Sequence, residues 1–117
     1  MSRSIVVDKS YEFALRMVRL YKYLADEKKE FVLSRNALTT GTMIGARAKA
    51  AQEAESRSGF SYEMNLALQK ASETEYWLQL LHDGNFLDDE AFHSIHANCV
   101  ELIKLLKAIT RTTKSTI

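Results

Sequence analysis

Three histidines, one cysteine and a run of acids are the first side chains to test for chemistry. His82, His93 and His96 lie close together, and Glu90 with His93 forms a Glu-x-x-His element. Di-iron helical bundles use that element twice and add two further inward carboxylates. The second copy fails here, because Gln79 stands where the acid before His82 would be. The element also falls at a helix end, so solvated helix-end residues are the simpler reading. Cys99 sits on an apolar stripe with no histidine beside it in sequence, which reads as a buried, inert thiol. As the single cysteine it excludes an intramolecular disulfide and fits a reducing compartment. The run Asp88-Asp89-Glu90 is explained by the positive end of a helix dipole. No Gly-rich phosphate loop follows a strand and no Ser-His-Asp order is readable. No metal, cofactor or enzymatic activity is expected.

The basic residues are better placed for binding. Lys104, Lys107, Arg111 and Lys114 advance by three, four and three, which holds one helix face. Cations near a helix C-terminus favour the dipole by themselves, and the remainder invite a phosphate or an acidic neighbour. Tyr11, Tyr21 and Tyr23 lie among Arg16, Arg19 and Lys22, a mixture that could stack nucleic-acid bases. Amphipathic tyrosines at the edge of a core are the alternative. The formal net charge is only +1, unlike the clear basic excess of a phosphate-gripping domain. Residues 1–58 carry +4, residues 59–103 carry −7 and residues 104–117 carry +4. Such blocks suit a partner or a second copy of the chain, or are simply solvated faces.

These residues need elements to hold them. The chain has 117 residues, 46% of them apolar, no proline and four glycines, which suits one domain and disfavours a turn-rich β architecture. No apolar run is long enough to span a bilayer and the N-terminus is no signal peptide, so the cytoplasm is the expected compartment and no membrane the expected setting. Apolar periodicity predicts four helices over about 5–25, 31–55, 61–82 and 88–112. Their stripes are Phe13, Met17, Leu20, Tyr21 and Leu24; Val32 or Leu33 with Leu38, Ile44, Ala48 and Ala51; Met64, Ala67, Leu68, Ala71, Thr74, Leu78 and Leu81; and Phe92, Ile95, Cys99, Leu102, Leu106 and Ile109.

Ser61 and Asp88 are the expected N-caps of the third and fourth helices, Gly84 the left-handed C-cap of the third, and Thr110 onward a fraying end. Gly41 and Gly45, four apart inside the second helix, imply close approach of a neighbour or a kink near Thr39-Thr40-Gly41. The whole is an all-α, up-down-up-down antiparallel four-helix bundle in a single domain over 1–117. In that topology the first and last helices are neighbours. Arg16 and Arg19 are then expected near Lys104 and Lys107, and Arg3 and Lys9 near Arg111 and Lys114, on one basic side.

Four stretches carry a resemblance. They are Ser10-Tyr11-Glu12-Phe13-Ala14-Leu15-Arg16, Gly41-Thr42-Met43-Ile44-Gly45-Ala46, Ala71-Ser72-Glu73-Thr74-Glu75-Tyr76-Trp77-Leu78, and Glu101-Leu102 followed by Lys104-Leu105-Leu106. Together they resemble the 23S rRNA-intervening sequence protein family over about residues 4–114, some of whose members are labelled ribosomal proteins. The accessory variability determinant of diversity-generating retroelements is similar in fold. The resemblance implies a non-enzymatic protomer that assembles into a homopentameric ring, and its retroelement relatives bind nucleic acid beside a reverse transcriptase.

The sequence departs from the family's second-helix pattern Ser-Ile-x-x-Asn-Ile-x-Glu, with Met43, Arg47 and Ala50 replacing the Ser, Asn and Glu. Arg47 could then reach Glu73 or Glu75 across to the third helix. Tyr76 and Trp77 lie at an angle to the core stripe and could face a second subunit, or belong to the core. The functional expectation is a self-assembling, non-enzymatic scaffold. The rival is an RNA-binding accessory protein associated with ribosomal RNA or a reverse transcriptase, gripping phosphates through Arg3, Lys9, Arg16, Arg19, Lys104, Lys107, Arg111 and Lys114.

Overall fold

Each of the four periodic runs folds into one α-helix. The computed structural model describes residues 4–116, with side chains over 4–113, so Arg3 and the Lys114 side chain fall outside the described residues. Helix α1 spans Ile5–Glu27, α2 Leu33–Gln52, α3 Arg57–Asp83 and α4 Asp89–Thr116, and no strand occurs among the described residues.

The cross-helix contacts define the topology. Ser10 and Met17 of α1 meet Gly45 and Gly41 of α2. Thr40 and Arg47 of α2 meet Thr74 and Glu63 of α3. Ala71, Glu75 and His82 of α3 meet Cys99, His96 and Asp89 of α4. Lys9 and Arg16 of α1 meet Glu101 and Asn98 of α4. In every pair the numbers rise on one helix as they fall on the other, which makes the bundle up-down-up-down. Its extents are 46 × 23 × 20 Å.

The stripes of α3 and α4 are buried nearly as the periodicity predicts, with Leu68 and Ile109 half-buried at their edges. On α1, Phe13, Met17 and Leu24 are buried while Leu20 and Tyr21 are half-buried. Helix α2 differs: Val32 is 69% exposed and Leu38 half-buried, and Ala37, Thr40 and Gly41 turn inward instead. Small residues face inward because α2 lies close against both neighbours. A Cβ at Gly41 would stand 2.7 Å from Met17 Cγ, and one at Gly45 would stand 3.3 Å from Ser10 Oγ. The glycines therefore serve close approach, and α2 runs without a break through Thr39–Gly41. Across the other side of α2, Thr74 Oγ1 donates to Thr40 Oγ1 at 2.9 Å inside the core.

The helix ends hold the main departures from expectation. The polar turn after α1 supplies a cap for α2: the Glu30 carboxylate accepts from the backbone N–H groups of Val32, Leu33 and Ser34 at 3.1, 2.9 and 2.7 Å. Helix α3 begins at Arg57, not at Ser61, because Ser56 is extended and its Oγ accepts from Gly59 N at 3.0 Å. Gly84 does not take the left-handed position; Asn85 does, with φ 69°. Asparagine is among the few residues besides glycine that adopt that region. Asp88 caps α4 as expected, accepting from Ala91 N at 2.8 Å. Nor does α4 fray at Thr110. Thr110 and Thr113 are buried, their hydroxyls donate to Leu106 O and Ile109 O, and the helix continues to Thr116.

Candidate interaction surfaces

The α4 cations form one surface. Lys104, Lys107 and Arg111 are exposed along the helix. The acid nearest to them in sequence, Glu101, is engaged elsewhere. Glu101 pairs with Lys9 of α1 at 3.0 Å, and Glu63 of α3 pairs with Arg47 of α2 at 3.1 Å. Among the described residues no carboxylate pairs with Lys104 or Lys107.

Arg16 and Arg19 do not join that surface. The register that sets Lys9 against Glu101 carries Arg16 past Lys104 to the first turns of α4. There its guanidinium donates to Asn98 Oδ1, to Ser94 O at 3.3 Å and to Ser94 Oγ at 3.0 Å. Arg19 lies one turn further on, exposed, on a groove of about 480 Å³ shared with Arg16, Leu20, Tyr23, Leu87 and Ile95. Lys9 likewise meets Glu101 rather than Arg111. The expected single basic side is therefore absent among the described residues. Of the three tyrosines, only Tyr23 lines the groove with these arginines; Tyr21 is half-buried and Tyr11 points outward.

Charge is sorted instead along the bundle. The half holding the α1–α2 and α3–α4 connections, residues 17–42 and 71–100, carries five basic and nine acidic side chains, a net of −4. The described residues of the other half, 4–16, 43–70 and 101–113, carry nine basic and six acidic, a net of +3. Antiparallel folding sets residues 71–100, net −6, beside residues 17–42, net +2, at one end, and residues 43–70, net +1, beside residues 101–113, net +2, at the other.

Arg47 bonds Glu63, not Glu73 or Glu75. In the antiparallel register Glu63 stands opposite Arg47, whereas Glu73 and Glu75 lie about three turns nearer the far end of α3. Lys70 takes Glu73 at 3.1 Å, and His96 takes Glu75 at 2.8 Å. The Arg47 Nε is buried without a hydrogen-bond partner. Tyr76 is 55% exposed and meets Trp77 edge-on, ring centroids 5.1 Å apart, while Trp77 packs against the core. The pair is thus divided between core and surface.

The chemistry-bearing side chains are set into the α3–α4 seam. Phe92 stacks between the His82 and His96 rings, with centroids 4.3 and 4.8 Å away. His82 Nε2 also contacts Asp89 Oδ1 at 2.7 Å. Among the described residues no group of three His, Cys, Asp or Glu side chains is arranged to hold a metal ion. Cys99 is buried and donates to Ala71 O at 3.4 Å; burial, and then the charge of Glu75, push its thiol up to about 12.

One surface escaped the core-directed reading. Tyr11, Leu15 and Val18, spaced by four and three, are 65%, 40% and 38% exposed on the face of α1 opposite the core. Large apolar residues left over at helical spacing outside the buried stripe were the signal for it.

The fold defines a class, the all-α antiparallel four-helix bundle. A family model, the 23S rRNA-intervening sequence protein, matches residues 2–108, and the chain belongs to that family. A solved structure from Bacteroides thetaiotaomicron, described as a protein with unknown function from the S23 ribosomal protein family, is 47% identical to the chain. The match covers 91% of this chain and 98% of that one, with a TM-score of 0.89. No curated protein matches the chain significantly. No helix among the described residues is long and apolar enough to cross a membrane.

Proposed function

We propose that the chain is a non-enzymatic protein whose working unit is a homo-oligomeric ring of five copies, acting as a structural or interaction scaffold in the cytoplasm. The observation that carries this reading is the opposite charge of the two bundle halves, −4 against +3. A ring closes through two different patches that meet head to tail. A protomer with unlike ends offers such patches, with Lys104 and Lys107 on the basic one. The potentially reactive side chains support a non-catalytic role: Cys99 is a buried neutral thiol, and His82 and His96 are spent on carboxylates and on Phe92. Native mass by light scattering at low and high salt tests the ring. A mass that is a multiple of five protomers at low salt, falling at high salt and in K104E/K107E, is expected; one or two protomers at low salt sinks the reading.

A second reading, binding of RNA as an accessory protein, is favoured by the α4 stripe, where Lys104 and Lys107 have no carboxylate partner among the described residues and the preceding Glu101 is paired with Lys9. Its contacts are Lys104, Lys107, Arg111 and Lys114, with Arg16 and Arg19 on a separate seam. Structured RNA should be retarded at low salt, released steeply as salt rises, and not bound by K104E/K107E.

A further inference from the structure

We infer that the outer face of α1 is a two-fold docking surface for α1 of a second copy. The face has an apolar centre, Tyr11, Leu15 and Val18. Along it the charges change sign once: Glu12 lies toward the N-terminal end, Arg19 and Lys22 toward the other, all three exposed. Glu12 and Arg19 have no ion pair within the chain among the described residues.

Two such helices laid antiparallel, Leu15 against Leu15, are self-complementary. A two-fold axis across the contact keeps each flank on its own side and reverses the direction along the helix. On one flank Glu12 of each copy meets Arg19 of the other. On the opposite flank Tyr11 meets Val18. One turn further out Asp8 comes opposite Lys22. A parallel pairing would lay the Glu12 and Arg19 flank of each copy against the Tyr11 and Val18 flank of the other and leave those charges without partners, so the charges select the antiparallel one. The grooves on either side of the ridge make room for the partner's flanks. One, about 630 Å³, is bordered by Val7, Asp8, Tyr11, Glu12 and Lys49. The other, about 400 Å³, includes Leu15, Arg16, Arg19 and Asn98.

This contact is independent of the ring, and it joins either two protomers or two rings. The test is native mass over a range of protein concentrations for the wild type, L15E, E12R and E12R/R19E. These positions lie outside the core, and circular dichroism confirms that each variant keeps its helices. The expected wild-type mass is an even number of protomers, halved by L15E. The E12R variant should dissociate at tenfold or more higher concentration, and E12R/R19E should recover the wild-type behaviour. In L15C mild oxidation should join two chains through position 15, because only a two-fold contact places a residue against itself; Cys99 is buried and does not compete. A mass of five protomers unchanged by L15E overturns this inference and leaves the ring standing. A dimer abolished by L15E does the reverse. A monomer at every concentration overturns both.

Discussion

The Glu30 carboxylate accepts three successive backbone donors at the start of α2, so protonating it unpairs groups that have no helical partner of their own. Burial by itself raises the carboxyl, but the hydrogen bonds from Leu33, Ser34 and Val32 outweigh it and hold Glu30 below its ordinary range. Asp89 is also held low, first by its hydrogen bond to His82 and then by the imidazole's charge. A carboxylate whose folded pKa lies below its unfolded one stabilises fully above the unfolded value and loses that contribution as pH falls through the folded one. The urea midpoint of the wild type should therefore fall between about pH 5 and pH 3. In E30Q/D89N that fall should be shallower, and an identical acid limb would remove both residues from the account. Glu30→Ala should cost about 1 kcal/mol at neutral pH, as the loss of a helix cap does. Sequence places Glu30 in a turn but does not show its side chain folding back; an acid two to four residues before a helix start is the signal to look for. The same limit explains Arg47, where several acids were within chemical reason and only the register chose Glu63.

At the scale of elements, α2 is held close to α1 by the absence of a side chain. Alanine is a better helix former than glycine by about 1 kcal/mol. Forcing a methyl into a filled contact costs typically 1–3 kcal/mol, and at Gly41 that methyl would lie 2.7 Å from Met17 Cγ. Gly41→Ala should therefore lose about 1 kcal/mol net, seen as a lower urea midpoint with an unchanged slope. Equal or greater stability would show that Met17 can swing aside and that the glycine is not required. Helix existence and the inward stripes of α3 and α4 were legible, because a strong three-and-four periodicity leaves one face to bury. The helix ends were less so. Ser56 and Ser61 are equally good caps by type, and what separates them is the extended backbone that the α2–α3 connection imposes on Ser56.

Over the whole molecule the four seams are unequal. Where α1 and α2 meet, glycines bring the backbones together, whereas α1 and α4 are bridged by the long polar side chains of Arg16 and Lys9. Arg16→Ala should open this seam at a cost of about 1 kcal/mol, the net worth of a few partly exposed hydrogen bonds. Amide exchange along α1 and the first half of α4 should quicken, with that of α2 and α3 unchanged. Uniform quickening would mean that the seam does not open separately. The separation of charge into an acidic and a basic end belongs to this scale as well. It arises because the α1–α2 and α3–α4 connections share one end of the antiparallel bundle and the α2–α3 connection lies at the other, so blocks distant in sequence share an end.

The amino-acid pattern alone determined the helix number, the all-α class, the buried faces of α3 and α4 and the burial of Cys99, all of which follow from local periodicity and side-chain size; for Gly41 and Gly45 it left close approach or a kink, and the structure decided for close approach. Its motifs also pointed to the family, through Glu73-Thr74-Glu75-Tyr76-Trp77-Leu78 above all. Tertiary structure alone decided which charges meet. Arg16 sits with Ser94 and Asn98 rather than with Lys104, Arg47 with Glu63, and His96 with Glu75. Periodicity sets the angle at which a side chain leaves its helix but not how far one helix slides along another. That slide is settled by how the ridges of all four helices fill one core.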